Sequence, residues 1–456
     1  MKSNDLILNV EQIHKDILNA CSHLNISKWD ISAITSKDSS VQVQNGEAKQ
    51  LKGSQKCSIS IRVWNNSNLI GTTSTSDLSK EGLTKAIRGA YESSKYGNKD
   101  ETPDFSPLAK EIINEKESNI GISNEISLLI NKLQNAEKKL LTNQLIDSVP
   151  YNGLSQSSIE RLYLNSKDAK RHNKITRAVI YLYAKAQEKG RKPRSSGAMR
   201  IGKGLEDLDI ESCIKETTEK TISHLNYAPI ETGKYLVCFS PEAFLQLIDS
   251  FSSMFNARSI LDGVSINKPD CIGETIGVPF LTIYDDGLHP SNIGSFNFDG
   301  EGTPTQKVEL VKDGVIKNLI HSEATARKFG VKPTGHAGHG SKVSVSSDWL
   351  IVSRSESKET IDPTLNVAST RNTYILIDEL NALHSGVKPS QGSFSLPFDG
   401  WLVKDGIRTS IEAATIAGDI LKLLKNIVNI ENNQVVTYSG VSPHVWVDEL
   451  VITGEA

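Results

Sequence analysis

FNFDGEGTPTQKVELVKDGVIKNLIHSEATARKFG, Phe296–Gly330, holds the pattern from which the C-terminal fold can be read. Thr305–Leu310 and Gly314–Leu319 are apolar runs of strand length, and Asp313-Gly314 between them favours a tight hairpin. Ser322–Phe329 then has the spacing of a short covering helix. The same texture recurs on both sides. Strand-length runs stand at Tyr235–Phe239, Pro279–Tyr284, Leu350–Val352, Tyr374–Asp378, Phe394–Leu396 and Gly400–Val403, with a second Asp-Gly turn at Asp405-Gly406. Longer helices are expected only at Pro241–Asn256 and Thr415–Asn426. Residues 229–456 therefore read as a mostly antiparallel β domain, curled or barrel-like, with a few helices.

Upstream of Pro229 and Gly233 the texture is mixed. Helical spacing marks Glu11–Leu24, Leu78–Tyr96 (behind the capping cluster Thr75-Ser76-Asp77), Ser123–Leu141 and Asp209–Leu225. Alternating strands are expected at Trp29–Thr35, Ser40–Asn45, Lys56–Trp64, Gln144–Val149, Ser157–Ser166 and Thr176–Ala186, with a turn at Asn65–Asn68. Asp100–Asn119, with two prolines and many charges, reads as an exposed loop. Glu188–Gly204 is rich in glycine and basic residues; without interleaved aromatics it reads as a solvated hairpin loop rather than a nucleic-acid patch. Residues 1–228 are thus expected to form an α+β domain, a twisted antiparallel sheet covered by helices.

The chain of 456 residues exceeds one core, and 38% apolar with 23% charged residues is the balance of a soluble globular protein. A formal net charge of -3 gives no field for nucleic acid or an anionic membrane. The N-terminus is charged and lacks a signal-peptide apolar run, and no segment is apolar enough to span a bilayer, so a cytoplasmic location is expected. The five cysteines are scattered without a CxxC pair, which argues for buried thiols over disulfides or a cysteine-rich zinc site.

A longer order of motifs carries a resemblance. Tyr284-Asp285-Asp286-Gly287, Gly294-Ser295-Phe296, Phe298-Asp299-Gly300-Glu301-Gly302-Thr303-Pro304-Thr305, Ala324–Gly330 and Pro333-Thr334-Gly335 follow one another. Gly392-Ser393-Phe394, Gly400–Gly406 and Glu412–Gly418 come after them; Ile61-Arg62-Val63, Gly71, Ser76-Asp77-Leu78, Tyr151 and Leu164-Asn165-Ser166 precede them. In order and spacing this resembles the TldD/PmbA family, once called modulators of DNA gyrase, over nearly the whole chain.

The resemblance implies one of two kinds of protein. TldD-like members resemble zinc peptidases with a HExxxH helix and a later cysteine; PmbA-like (TldE) members keep the scaffold without the ligands. Here the helix position holds Ser240–Phe251, with Glu242 and Asp249 but no histidine between His224 and His289. The cysteine position falls near Phe398, and no cysteine follows Cys271. The chain therefore resembles the PmbA/TldE kind, with no catalytic residue and no metal of its own. The resemblance implies pairing with a zinc-carrying TldD-like homologue, or with itself, as a peptidase acting on small unstructured peptides such as antitoxins or modified peptide antibiotics. The alternative is a non-enzymatic homodimer that binds peptides or a protein, of the gyrase-modulator type.

Within the chain, a peptide groove is expected near Asp285, Asp286, Phe298, Asp299, Glu301, Gly302, Thr303, Thr334, Gly335 and His336. Glycines there let backbone approach backbone, and strand edges can take an extended peptide. The carboxylates serve equally well as acceptors in tight Asp-Gly and Glu-Gly turns. His336 and His339, with His321, are the remaining histidines that could hold a metal; their glycine-rich setting favours a solvated loop instead. Ser295 and Thr303 lack any nucleophile elbow or coupled base.

Overall fold

The computed structural model describes residues 8–97, 102–113, 121, 124–355 and 372–454. Its N-terminal part is one six-stranded sheet in the order β3-β2-β1-β4-β5-β6, antiparallel throughout. The strands are β1 Lys28–Gln44, β2 Glu47–Trp64, β3 Ile70–Thr75, β4 Ile146–Asn165, β5 Lys170–Ala186 and β6 Arg194–Gly202. Asn45 and Gly46, both at positive φ, make the β1–β2 turn; this Asn-Gly signal joins three expected strand segments into one long hairpin.

Alternation along these strands decides what each face meets. Ile31, Ala33, Ile61, Val63, Leu162 and Leu164 pack under helices α1 (Val10–His23) and α2 (Lys80–Ser94). Val41, Val43, Ile180 and Leu182 pack under α3 (Ile126–Leu140) and α4 (Ile210–Ser223). The intervening positions, Asp30, Arg62 and Tyr163, point the other way, and all three are buried. What buries them is the C-terminal part.

That part contains two sheets around a shared core. Its strands are β7 Tyr227–Ala228, β8 Gly233–Phe239, β9 Leu281–Asp286, β10 Lys307–Lys312, β11 Val315–Ile316, β12 Leu350–Arg354 and β13 Thr373–Leu380. They continue as β14 Val387–Lys388, β15 Ser393–Lys404, β16 Ile407–Ile411, β17 Ala414–Asp419, β18 Ile427–Ile430, β19 Val435–Val436, β20 Gly440–Ser442 and β21 Val445–Gly454. One sheet runs β11-β10-β9-β12-β20-β19. In the other, β13-β8-β21-β17-β15 closes on itself because β15 also pairs with β13, which makes a five-stranded barrel. Helix α5 (Pro241–Ser250) packs Phe244, Leu245, Leu247 and Ile248 into the core between the sheets. The α+β class and the barrel-like C-terminal sheet agree with the sequence reading.

Several segments differ from their expected form. Arg194–Gly202 is a sheet strand, not solvated loop: β5 offers it nine paired positions and α4 covers it. Thr415–Asp419 belongs to strand β17, held between β15 and β21, and helix starts only at Ile420. Phe394–Leu396 and Gly400–Val403 are one strand, β15. Of the expected exposed loop 100–119, residues 102–113 are described, and Phe105, Ser106, Leu108 and Ala109 are buried. Trp64 donates its indole N–H to Pro103 O (3.1 Å), and the Asp104 amide donates to Glu323 Oε2 (2.8 Å), so this segment ties the two parts together. Four cysteines are buried and Cys57 is half-buried, all as free thiols.

Candidate functional site

The ten residues expected to line a groove are brought together, but as a buried junction. Asp285 accepts from the amides of Asp348 and Trp349 (3.0 and 2.9 Å). Asp286 caps the Leu288 amide in a tight turn (3.1 Å). Asp299 Oδ1 accepts from the Glu301 and Thr303 amides (2.9 and 3.0 Å), and its Oδ2 from the Ala337 amide (2.9 Å). Burial, opposed by these bonds, pushes the Asp299 carboxyl up to about 6. Phe298 is buried against Tyr163 and Ala109. The Thr303 hydroxyl donates to Ser106 Oγ (2.8 Å). Thr334 Oγ1 accepts from the His321 amide (2.7 Å) and contacts His336 Nδ1 (2.9 Å). Gly302 and Gly335 sit at φ +75° and +81°; a Cβ would stand 2.4 Å from the Tyr163 ring and 2.3 Å from Pro304 O.

At the centre of this junction lies Arg62, fully buried. It donates Nε and Nη2 to Asp30 (2.8 and 2.5 Å) and Nη1 to Glu301 Oε1 (3.0 Å). The Tyr163 hydroxyl (3.1 Å) and His339 Nε2 (3.0 Å) also reach Asp30. Glu301 Oε2 accepts the Glu323 amide (2.8 Å) at the start of the short helix Glu323–Phe329. Arg62 and Asp30 come from the N-terminal sheet and Glu301 from the C-terminal part, so one guanidinium is shared across the interface. Burial first, then the Asp299 charge, push the Glu301 carboxyl up to about 7 against the pull of Arg62.

The three histidines do not converge on a metal. His339 is held by Asp30 and Ser60. His336 Nε2 lies 3.5 Å from Asp285, and burial, with the nearby His336, lowers His321 to about 4. Among the described residues no group of three or more His, Cys, Asp or Glu side chains is placed to hold a metal.

None of the ten expected residues lines the cleft of about 1130 Å³ that lies between the N-terminal sheet and the C-terminal part. One wall is β6 and the segment after it, Gly197–Lys203, at the outer edge of the six-stranded sheet. Facing it are the first turns of α5 (Ser240, Pro241, Glu242 and Gln246), Asp378 and Glu379 of β13, Asp348-Trp349, and Val435–Ser439. Local chemistry fixes α5 here. Ser240 Oγ caps the Ala243 amide (3.1 Å) and donates to Asp378 O (2.8 Å), while Pro241 occupies the first helical turn. Two cations of the wall are held in ion pairs. Lys220 pairs with Glu216 and Asp378, and Arg200 with Glu216.

The helix at the HExxxH position is thus α5, and it fronts this cleft. Its cavity side presents Glu242 and Gln246, one turn apart. Glu242 Oε1 accepts from Ser439 Oγ (2.9 Å), and Gln246 Nε2 donates to the Tyr438 hydroxyl (2.8 Å). Phe398, near the expected cysteine position, packs into the core. The donor set at α5, one carboxylate and one carboxamide, does not fit zinc. Gln246, Trp349, Tyr438 and Ser439 escaped the sequence reading because no motif joins segments so far apart in the chain.

Comparison with known proteins is consistent along the whole chain. Residues 29–94, 116–225 and 232–454 match domain 1, the central domain and the C-terminal domain of the PmbA/TldA metallopeptidases. Metalloprotease PmbA of Escherichia coli O157:H7 is 24% identical over 424 residues, covering 91% of this chain and 90% of that protein. Among solved structures, a candidate modulator of a DNA gyrase from Thermotoga maritima superposes with a TM-score of 0.86 at 24% identity, covering 97% of this chain and 100% of that one. TldE from Thermococcus kodakarensis gives 0.82 at 20% identity, with 97% and 100% covered. Among the described residues no helix is long and apolar enough to cross a membrane.

Proposed function

The chain belongs to the PmbA/TldA metallopeptidase family, and from that premise we propose that it is the metal-free subunit of a two-component cytoplasmic peptidase. Its partner is a homologue carrying the HExxxH helix, the later cysteine and the zinc. This chain shapes the chamber and holds small unstructured peptides in extended form. One observation supports the reading above others: α5 fronts a wide cleft with Glu242 and Gln246 and carries no histidine with which to hold a zinc ion. A scaffold kept over the whole chain without a ligand set contributes to hydrolysis through surfaces that meet an active partner, and paired assembly is the common way to do so. The outermost strand β6 along the cleft suits an extended peptide, since main-chain bonds tolerate many sequences.

Co-expression with a HExxxH homologue tests this. The expected result is a stable complex that holds zinc and cleaves an unstructured fluorogenic peptide, with neither chain active alone. A light-scattering mass that stays near 49.9 kDa with the homologue present would overturn the pairing. Self-association without recruitment of the homologue would favour the homodimeric regulator.

A further inference from the structure

The cleft holds a concentration of unmet polar chemistry. Eight buried side-chain polar atoms lack a hydrogen-bond partner among the described residues, and three of them, Glu242 Oε2, Gln246 Oε1 and Trp349 Nε1, belong to residues that line it. Native proteins seldom leave such atoms orphaned, so their clustering in one cleft points to a ligand. Their type says which. Glu242 and Gln246 each use one end on the protein, through Ser439 and Tyr438, and so each keeps one acceptor oxygen free. Glu242 makes no ion pair with a described residue, and Lys220 and Arg200 of the facing wall pair with Glu216 and Asp378 instead. The Tyr438 hydroxyl has its pKa raised by burial, then by the Glu242 charge and a hydrogen bond with that carboxylate, with Glu379 adding a smaller push; the Oε2 of Glu242 still has no partner among the described residues. Trp349, 8% exposed, contributes the complementary donor.

We propose that Glu242 and Gln246 on the cleft side of α5 form a recognition site for a protonated amine of a peptide, with Trp349 donating to a neighbouring carbonyl. An ammonium offers three donors and a charge, which match one carboxylate oxygen and one carboxamide oxygen one helical turn apart. A divalent cation fits less well, because no third ligand stands near. The inference rests on the proposed peptide-binding role only for the ligand being a peptide. It assigns to the metal-free subunit its own selectivity for the substrate end or side chain that enters the cleft.

The amine is either the peptide N-terminus or a lysine side chain, and calorimetric titration of the full chain distinguishes them. Three unstructured peptides serve as probes: lysine-free with a free N-terminus, the same peptide acetylated, and the acetylated peptide with one lysine. If the N-terminus is read, acetylation weakens binding about tenfold or more, the range of a charge-assisted hydrogen bond. If lysine is read, the third peptide alone recovers affinity. Glu242→Gln should bring the amine-bearing peptide to the level of the acetylated one, and Gln246→Glu should tighten it. Equal binding of all three peptides by the natural chain, no binding of any at millimolar concentration, or unchanged binding in a folded Glu242→Gln variant each overturns the proposal. Should Glu242→Gln fail to fold, acetylation and Gln246→Glu still decide. A reconstituted pair that cleaves peptides without any amine preference removes this inference and leaves the proposed function standing; an amine preference in a chain that recruits no zinc-bearing partner does the reverse.

Discussion

Replacing Arg62 with leucine should weaken the joint between the N-terminal sheet and the C-terminal part more than any single surface change. The guanidinium holds two carboxylates from opposite sides of the interface, Asp30 and Glu301, with side chains entirely buried. Leucine fills part of the space and leaves both acids without their cation. Breaking a buried pair by removing one partner costs about 3–5 kcal/mol, most of it the penalty of an uncompensated buried charge. An unfolding entropy of about 2.1 cal/mol/K per residue gives roughly 1 kcal/mol/K for 456 residues, so the melting temperature should fall by about 3–5 °C in a single transition. Differential scanning calorimetry measures this, and it also detects a new, separate transition if the two parts uncouple. Changing Asp30 and Glu301 to leucine in the same variant should recover part of the loss, because apolar replacement of the whole network removes the stranded charges. A shift below about 1 °C for Arg62→Leu, or no recovery in the triple variant, would refute the reasoning.

Three further outcomes follow from the same geometry. The Glu301 carboxyl, raised from 4.5 to about 7 mainly by burial, contributes stability that is intact below its unfolded pKa and lost as pH rises through about 7. Thermal melts of Glu301→Gln should therefore gain on the natural chain between about pH 4.5 and 7.5, and a constant difference would contradict this. Gly302→Ala, which needs φ +75° and sets a Cβ 2.4 Å from the Tyr163 ring, should lower the urea midpoint by the equivalent of about 1–3 kcal/mol; an unchanged midpoint would show that the turn relaxes freely. Elemental analysis of the purified chain should find zinc well below one per chain, and a stoichiometric tightly held zinc would require ligands that the donor set around α5 does not provide.

What could be read in advance divides along physical lines. Amphipathic helices such as α1 and α4, and the Asp-Gly turns at Asp313 and Asp405 with their positive φ, depend on local pattern and were legible. Thr415–Asp419 was not: its apolar residues suit helix or strand, and only the flanking β15 and β21 decide between them. Arg62 marks a different limit. An arginine in an alternating strand ordinarily points to water, and nothing within Ile61-Arg62-Val63 announces a second sheet above it. The carboxylates of the Asp-Gly and Glu-Gly turns illustrate the same ambiguity, because a buried acceptor and a ligand-binding acid have identical local sequence. Of the cleft, the sequence shows only helix α5, since Trp349, Tyr438 and Ser439 reach it from segments that sequence spacing does not relate.

The closed barrel has a consequence for the order in which the chain is made. Strand β21, Val445–Gly454, lies between β8 and β17, so a strand from the start of the C-terminal part is joined to its neighbours by the last strand described. Until the ribosome has released that segment, β8 and β17 each hold an open edge, and the apolar residues between the sheets have no closed wall around them. The six-stranded sheet, complete by Gly202, can form much earlier and wait with Asp30, Arg62 and Tyr163 facing water. A nascent chain arrested before Val445 is then a folded half carrying a sticky one, the kind of intermediate on which chaperones act.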